Sequence, residues 1–492
     1  MEIIASIKPL LAVLISFCAP LFIIALRKNA NVREGVTFSA AIIKFALIAS
    51  MIPGVLNGQM FEWRISEVLP GVGITLRADP FGLLFAIVAS FLWIVTSAYS
   101  IGYMRGLKEH AQTRYFSFFS LSLSAAVGVA FSGNLFTMYL FYEMLSISTY
   151  PLVTHHQDEE ARTSGRKYLL YIVGASIAFA LPAMLYVYHL AGTLDFISVS
   201  KVMNDAPIDK TALSILLLLF MFGFAKAAVM PLHSWLPAAM VAPTPVSALL
   251  HAVAVVKVGV FSIFRIFSSV LGPDLLNAYD LGTLAASIAS ITIITASLVA
   301  LSQDGLKRRL AFSTIGQLSY IVLGAALLSP NGMIGGMLHI AMHAFGKITL
   351  FFCAGAIFVT TGKKNVSELV GIGKRMPITM GAFFIGALSV IGLPPTGGFI
   401  SKWYLITGAV QADKLAFLFV ILFSSFLNAV YFLPIVYKAF FCTKEESLFS
   451  SDIKEAPLFC LWPPVFAAFC SIVLFFYPQP FLWLAKLAFS YF

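Results

Sequence analysis

Three basic side chains recur at helical spacing in an otherwise apolar stretch of the sequence. His339, His343 and Lys347 stand at positions i, i+4 and i+8 of LHIAMHAFGKITLFF, so on a helix they line one face over about 12 Å. A neutral imidazole can accept a proton at one nitrogen and donate one from the other. The HxxxH spacing also suits zinc, but no acidic residue lies nearby in the sequence to complete such a site. The pattern therefore favours a proton relay over a metal site.

Two further lysines lie on either side of a proline-rich connector. Lys226 and Lys257 fall within residues 221–266, and each is flanked by apolar residues. Four prolines separate them: Pro231, Pro237, Pro243 and Pro245. An ammonium group in hydrocarbon costs at least about 2.5 kcal/mol, so such lysines are usually kept for ion pathways or buried pairs. A membrane segment tolerates prolines only where protein or water satisfies the freed backbone. Charge and helix break at one place indicate a transport path.

A second proline break occurs later in the chain. The sequence GLPPTGG occupies residues 392–398, and Lys402 follows it. Paired broken helices are typical of transporters built from inverted repeats, whose ion sites lie near the middle of the membrane. The residues expected to form the two breaks and to gate the path are Pro231, His233, Pro394 and Pro395.

Two pairings of titratable side chains follow from residue type. Glu143 is a carboxylate deep in a predicted span, and Lys226 is its natural partner by charge. Such a pair is either a structural link between helices or a proton site controlled by the lysine. His251 precedes Lys257 by six residues, a rise of about 9 Å with the side chains about 120° apart. One water could join them, and His251 could equally be a core histidine with satisfied hydrogen bonds.

Several other polar residues are expected to be structural. Lys44 is interpreted as a helix-packing or snorkelling residue, Arg265 as a snorkelling residue near the outer end of its helix, and Asp79 as a helix N-cap. His155 and His156 stand close to three acidic residues and are expected to form a solvated loop face.

The composition is that of a polytopic membrane protein. Of the 492 residues, 60% are hydrophobic and 11% are charged, against about 25% charged in a soluble domain. The net charge of +10 does not indicate nucleic-acid binding, because membrane proteins collect lysine and arginine in short cytoplasmic loops. Five scattered cysteines without CxxC, and the lack of GxGxxG and P-loop motifs, predict no cofactor, no metal and no nucleotide site. The energy source is then expected to be an ion gradient or a neighbouring protein of the same complex.

Apolar segments of membrane-crossing length recur along the chain and predict an all-α membrane protein with about fourteen transmembrane helices. They centre on residues 10–26, 36–53, 80–102, 115–132, 134–153, 166–190, 211–230, 244–270, 279–301, 309–328, 331–361, 378–410, 414–441 and 457–485.

Loop charge predicts the orientation of these spans. Nineteen basic residues fall in loops on one side of the predicted topology and five on the other. By the positive-inside rule the richer side is cytoplasmic, which places both termini outside a prokaryotic cell membrane.

The positions of the two helix breaks predict an inverted repeat. The breaks fall in the seventh and twelfth spans, five spans apart, and an odd offset makes the two copies of the repeat run in opposite directions across the membrane. We therefore predict an N-terminal three-helix segment, a five-helix repeat, an inverted second repeat and a C-terminal helix, covering residues 1–110, 111–272, 273–442 and 443–492.

Four stretches of the sequence resemble the antiporter-like subunits of respiratory complex I and of Mrp-type cation/proton antiporters. They are the Glu143 helix, residues 226–260, residues 339–355 and residues 392–403. The resemblance implies that the positions of Glu143 and Lys226 form a gating ion pair. It implies also that Lys257 and Lys347 carry protons along a hydrated line across the middle of the membrane, and that Lys402 is the far end of that line.

The lysine at position 402 indicates which types within the family the sequence resembles most. One complex I type of the family has glutamate there, whereas the MrpD type of the antiporters and two other complex I types have lysine. The larger types extend well beyond fourteen helices, so the sequence is most similar to the MrpD type. The implied function is a proton-translocating subunit of a multi-subunit Na⁺ (monovalent cation)/H⁺ antiporter that works with other membrane subunits. A proton-pumping subunit of complex I or of a membrane-bound hydrogenase is the alternative.

Two other classes of function remain open from the residues alone. A membrane enzyme such as a quinone-site oxidoreductase is disfavoured, because the sequence has no metal, flavin or haem motif. A structural scaffold would leave a row of buried lysines as an unexplained energetic cost. We therefore expect a transporter subunit rather than an enzyme.

Overall fold

The computed structural model describes residues 1–442 and 454–491, except for the side chains of Leu69, His251 and Ala252. The first half contains the helices α1 Lys8–Ala25, α2 Ala30–Ala49, α3 Ile52–Leu56, α4 Pro80–Gly106, α5 Gln112–Ala130, α6 Leu135–Val153, α7 Glu159–Ala175, α8 Leu181–Ala191, α9 Val199–Asp205, α10 Lys210–Gly223, α11 Trp235–Ala238, α12 Thr244–Val246 and α13 Val255–Arg265. The second half contains α14 Pro273–Ala278, α15 Leu281–Ser302, α16 Leu306–Ala326, α17 Pro330–Thr361, α18 Pro377–Ile391, α19 Gly397–Gln411, α20 Leu415–Phe441, α21 Leu458–Phe476 and α22 Gln479–Phe489.

These helices form the predicted helical membrane fold. Among the described residues, nine helices are long and apolar enough to span a membrane. Two shorter apolar helices, α10 and α18, each stop at one of the predicted breaks. Three helices of 19 to 21 residues, α5, α6 and α16, account for further predicted spans. Short π-helical turns join α7 to α8 and α12 to α13, so each of those pairs continues as one span.

A small sheet is an addition to the predicted helices. β1 Glu2–Ala5 pairs in parallel with β2 Gln59–Leu69, which pairs antiparallel with β3 Val72–Ala78. Arg77 of β3 donates to Glu62 and Asp195, which ties the sheet to the loop after α8. The sheet therefore closes the end of the bundle at which α4 and α6 begin.

The first helix break begins earlier than the sequence predicted. α10 ends at Gly223, and Lys226 lies in a 3₁₀ turn, Ala225–Ala227, rather than inside a helix before Pro231. A Cβ on Gly259 of α13 would lie only 2.1 Å from the Ala227 nitrogen, so α13 runs directly against this turn. Side chains satisfy the freed backbone: the Lys226 N–H donates to the Tyr142 hydroxyl at 3.0 Å, and Trp235 Nε1–H donates to the Ala225 carbonyl at 3.0 Å. Tertiary packing, more than proline, sets where the helix stops.

The second break lies where the sequence predicted it. α18 ends at Ile391, Gly392 follows with φ +88°, and α19 begins at Gly397. A Cβ on Gly398 would lie 1.8 Å from the Ser389 carbonyl oxygen, so only glycine allows this approach of the two half-helices.

Two buried basic residues are held by the protein rather than extending to the membrane surface. Arg265 is 1% exposed and forms an ion pair with Asp79, at 2.5 Å, which also caps α4 as predicted. The snorkelling interpretation of Arg265 is therefore wrong, because a carboxylate is available inside the bundle. Lys44 is buried and donates to the Ser16 hydroxyl at 2.6 Å and to the Leu123 carbonyl at 2.8 Å, which fits the predicted packing role.

Candidate functional site

The predicted basic face lies in the interior of α17. His339, His343 and Lys347 are each at most 2% exposed, and the helix around them is buried for most of its length. The two imidazole rings stack with centroids 5.5 Å apart and an interplanar angle of 20°. The i, i+4 spacing thus places the rings face to face, as a regular helix requires.

Lys257 meets this face through His343. Lys257 Nζ lies 2.8 Å from His343 Nδ1, and both side chains are buried. The sequence predicted His251 as the neighbour of Lys257, but that side chain lies outside the described residues. His343 Nε2 is buried and has no hydrogen-bond partner among the described residues. His343 therefore has one nitrogen bonded to the lysine and the other available.

His339 extends the line toward the second helix break. Its Nδ1 lies 2.8 Å from the Ser401 hydroxyl, and its Nε2 lies 3.0 Å from the Gln317 side-chain oxygen. Ser401 immediately precedes Lys402 in α19, but the Lys402 ammonium group bonds other residues, so the hydrogen-bonded line ends at the serine. Neither Ser401 nor Gln317 was predicted, since a lone serine or glutamine in an apolar helix carries no signal of its role.

Lys402 is held at the end of α18. Its Nζ donates to the carbonyls of Val390 and Ile391, at 3.0 and 2.8 Å, and to the Ser425 hydroxyl at 2.9 Å. The last carbonyls of a helix have no partner within it and carry partial negative charge. The carbonyl groups at the helix break therefore stabilise the buried ammonium group without a carboxylate partner.

Lys347 lies on the same face of α17 but has its own hydrogen-bond partners. Its Nζ donates to the Ser313 hydroxyl at 2.8 Å and to the Leu310 carbonyl at 3.3 Å. Tyr431 donates to the same serine at 2.9 Å and bonds Asn428. Hydroxyl groups of α16 and α20 thus surround this ammonium group.

Lys226 occupies the first break without a direct ion pair. Its Nζ donates to the Tyr142 carbonyl at 2.6 Å and to Ser146 at 2.7 Å, and it lies 3.2 Å from the centroid of the Tyr142 ring. Glu143 acts on it electrostatically, but no oxygen–nitrogen distance of 4.0 Å or less joins these two described residues. Glu143 is partly exposed at the surface of the chain, and its Oε1 is buried without a partner among the described residues. Pairing of these two groups stays a prediction.

The predicted gating residues lie at the edges of the two breaks. His233 Nδ1 is 3.2 Å from the carbonyl oxygen of Pro231. His233 lines a cavity of about 760 Å³ together with Lys307 and Phe312. Pro394 and Pro395 are exposed on the surface of the chain. Their role in gating also stays a prediction.

One loop histidine contradicts its predicted environment. His155 is fully buried rather than solvated, and Arg114 donates to its carbonyl oxygen at 2.7 Å. Burial, reinforced by the nearby His110, lowers the pKa of His155 to about 3. The acidic residues that follow His156 in the sequence suggested a solvated loop. The prediction was wrong for His155, because the loop between α4 and α5 covers its ring.

Comparisons of sequence connect this geometry to known proteins. Residues 132–428 match the family model described as NADH:quinone oxidoreductase/Mrp antiporter, TM. The chain is 34% identical to the NADH-quinone oxidoreductase subunit N of Desulforudis audaxviator, over 88% of this chain and 86% of that protein. It is 28% identical to the putative antiporter subunit mnhA2 of Staphylococcus haemolyticus, over 97% of this chain and 62% of that protein. It is 32% identical to hydrogenase-4 component B of Escherichia coli, over 74% of this chain and 56% of that protein. The chain thus spans most of the first relative and little more than half of the last two.

Comparisons of structure give two close matches. A chain of the Mrp complex from Dietzia sp. DQ12-45-1b aligns with a TM-score of 0.87 and 22% identity, over 99% of this chain and 97% of that one. A chain of the membrane-bound sulfane sulfur reductase, an archaeal respiratory membrane complex, aligns with a TM-score of 0.86 and 26% identity, over 99% and 96%. The first match shows the fold alone.

Proposed function

The chain belongs to the NADH:quinone oxidoreductase/Mrp antiporter membrane family, and on that premise we propose that it is the proton-translocating subunit of a multi-subunit monovalent cation/proton antiporter. The observation that carries the proposal is the buried line that begins at Lys257, passes through His343 and His339, and reaches Ser401 beside Lys402. Lysine and histidine suit such a line, because the pKa of a buried lysine or of a histidine can lie near neutrality, where the side chain takes up and releases protons.

Proton movement along this line has three kinds of step. Between Lys257 and His343 the proton shifts along a hydrogen bond of 2.8 Å. Between the two stacked imidazoles the nitrogens must be joined by a water molecule or by rotation of a ring. From His339 the proton can pass to the hydroxyl of Ser401, 2.8 Å from His339 Nδ1. A water molecule must then carry it to Lys402, because the Lys402 ammonium group donates to Val390, Ile391 and Ser425 instead. The middle step is the one that conformational change can open or close.

Glu143 and Lys226 are the proposed switch of this path. Moving Lys226 away from the Tyr142 carbonyl toward the Glu143 carboxylate would change the electrostatic potential felt by the line. The second break, with Pro394 and Pro395, is the proposed gate at the other end.

We infer that neighbouring membrane subunits cover the Glu143 face. Glu143 is partly exposed between the exposed side chains of Leu140 and Ile147, so in an isolated chain a carboxylate would face lipid. The structural matches are chains of multi-subunit membrane complexes, which fits this inference. The chain alone, reconstituted in liposomes, is expected to show no cation/proton exchange, and robust exchange would refute this part of the proposal.

We propose a prokaryotic cell membrane as the location, with both termini outside, on the basis of the loop charges. A reporter that is active only in the cytoplasm should stay inactive when fused to the C-terminus. Activity there would reverse the topology.

A redox-driven proton pump is the second candidate function. The 34% identity to an NADH-quinone oxidoreductase subunit N over 86% of that protein favours it. Purification of the native complex separates the two candidates. An antiporter is expected to contain small membrane subunits and to acidify vesicles in response to a cation gradient. Co-purified flavin and iron–sulfur subunits, with acidification that requires an electron donor, would identify the pump.

A further inference from the structure

A cluster of three histidines and one glutamate lies away from the proton line. It is built by two loops: Glu109 and His110 between α4 and α5, and His155 and His156 between α6 and α7. Possible ligand atoms of Glu109, His110 and His156 all lie within 4.8 Å of one another. The fourth side chain, His155, packs against His110 with ring centroids 4.7 Å apart.

The distances in this cluster converge on one carboxylate oxygen. Oε2 of Glu109 lies 3.9 Å from His110 Nδ1, 3.7 Å from His155 Nε2 and 3.7 Å from His156 Nδ1. These contacts are too long for hydrogen bonds. Ligands about 2.0–2.1 Å from a tetrahedral ion are about 3.3 Å from each other. The histidine nitrogens are already close to this distance from the carboxylate, but they must move closer to one another, and His155 must join the other three, for all four to share one ion.

The buried member of the cluster points to a ligand independently. The side chain of His155 is 0% exposed, and neither ring nitrogen has a hydrogen-bond partner among the described residues. A buried polar group without a partner is energetically unfavourable. Arg114 bonds the His155 backbone carbonyl and not the ring, and the His110 backbone acts on the ring without meeting hydrogen-bond geometry.

We propose that Glu109, His110 and His156, with His155 as the fourth ligand, bind one divalent transition-metal ion of the Zn²⁺ class. Three imidazoles and one carboxylate form a donor set that suits zinc and disfavours magnesium and calcium, which prefer oxygen ligands. Arg114 is a positive charge that acts against a cation at His155. The ion would link the loop between α4 and α5 to the loop between α6 and α7.

The position of the cluster suggests what the ion could affect. Glu109 and His156 also line the 760 Å³ cavity that contains His233 and Lys307. A bound ion would fix one wall of this cavity. The metal proposal itself does not depend on the proposed proton path, because its test measures binding.

The test uses the purified complex after removal of metal by a chelator. Zn²⁺ affinity is measured by competition with a chromophoric chelator, for wild type and for Glu109→Gln, His110→Ala and His156→Ala. His189→Ala is the matched control, since His189 is an exposed histidine far from the cluster in sequence. His110 and His156 are exposed, so their replacement should leave the fold intact, which thermal unfolding without metal verifies.

We expect the number of Zn²⁺ ions bound per chain to be higher by one in wild type than in the His110→Ala/His156→Ala double variant. Affinity should be at least about tenfold weaker in each single variant and unchanged in His189→Ala. Co²⁺ should give the intense visible absorption of a four-coordinate ion in wild type, and Glu109→Gln should lose it. Equal Zn²⁺ binding by wild type and the double variant would overturn the proposal. So would a Co²⁺ spectrum of six-coordinate type in the wild-type complex.

Discussion

The two broken helices hold their lysines in different ways. At the first break Lys226 is fixed by the Tyr142 carbonyl, by Ser146 and by the face of the Tyr142 ring, all on α6. At the second break Lys402 is fixed by the last carbonyls of α18 and lies next to Ser401, which bonds His339. The first lysine is bound to one neighbouring helix, whereas the second follows in sequence the serine that bonds an imidazole. We propose that the first break is a switch and the second is part of a conductor.

The largest expected effect comes from breaking the conductor at His343. His343→Gln keeps a polar side chain but cannot relay a proton, so proton flux should fall by about 100-fold at equal complex levels. His189→Gln, on the surface, is the control and should leave flux unchanged. The measurement is acidification of inverted membrane vesicles. Flux within about twofold of wild type in His343→Gln would show that the line through this ring is not the path.

A smaller effect is expected at the proposed switch. Glu143→Gln and Lys226→Met should each reduce flux by about tenfold, and the double variant should lose less than the sum of the two free energies. The coupling should be about 1 kcal/mol, at the low end for neighbouring charges, because no direct ion pair joins these two described residues. Additive losses in the double-mutant cycle would count against any coupling of the two groups.

The smallest expected effect sharpens the contrast between the two breaks. Ser401→Ala removes the hydroxyl beside His339 but leaves both titratable groups, so flux should fall only about threefold, since water can replace the hydroxyl. Ser146→Ala removes the hydroxyl that the Lys226 ammonium group bonds at the first break. If the first break is a switch, Ser146→Ala should change how steeply proton flux depends on the driving gradient, and should change the maximum proton flux less. Identical behaviour of the two serine variants would remove the distinction drawn between the breaks.

The local parts of this architecture could be predicted from sequence. The face of His339, His343 and Lys347 follows from spacing along one helix, and the second break follows from two prolines within a glycine-rich segment. Both depend on residues close together in the chain. The spans could be predicted because hydrocarbon thickness fixes their length.

The rest depends on contacts between distant segments. His343 bonds Lys257 from 86 positions away, and His339 bonds Ser401 from 62 positions away. The end of α10 at Gly223 depends on how closely α13 approaches the 3₁₀ turn, which no local pattern encodes. His155 was misjudged for the same reason, because the loop that covers it belongs to another part of the chain.

In the proposed function, protons are taken up and released at the buried lysines Lys257 and Lys347. Arginine keeps the positive charge and stays protonated, so it can replace lysine as a structural cation but not as a relay. The most direct measurement is proton flux for Lys257→Arg and Lys347→Arg at matched complex levels. Lys44→Arg is the control, since Lys44 is equally buried but bonds only Ser16 and the Leu123 carbonyl among the described residues. We expect the first two variants to assemble and to lose most of their proton flux, while Lys44→Arg keeps it. Near-normal flux in both Lys257→Arg and Lys347→Arg would show that neither lysine relays protons.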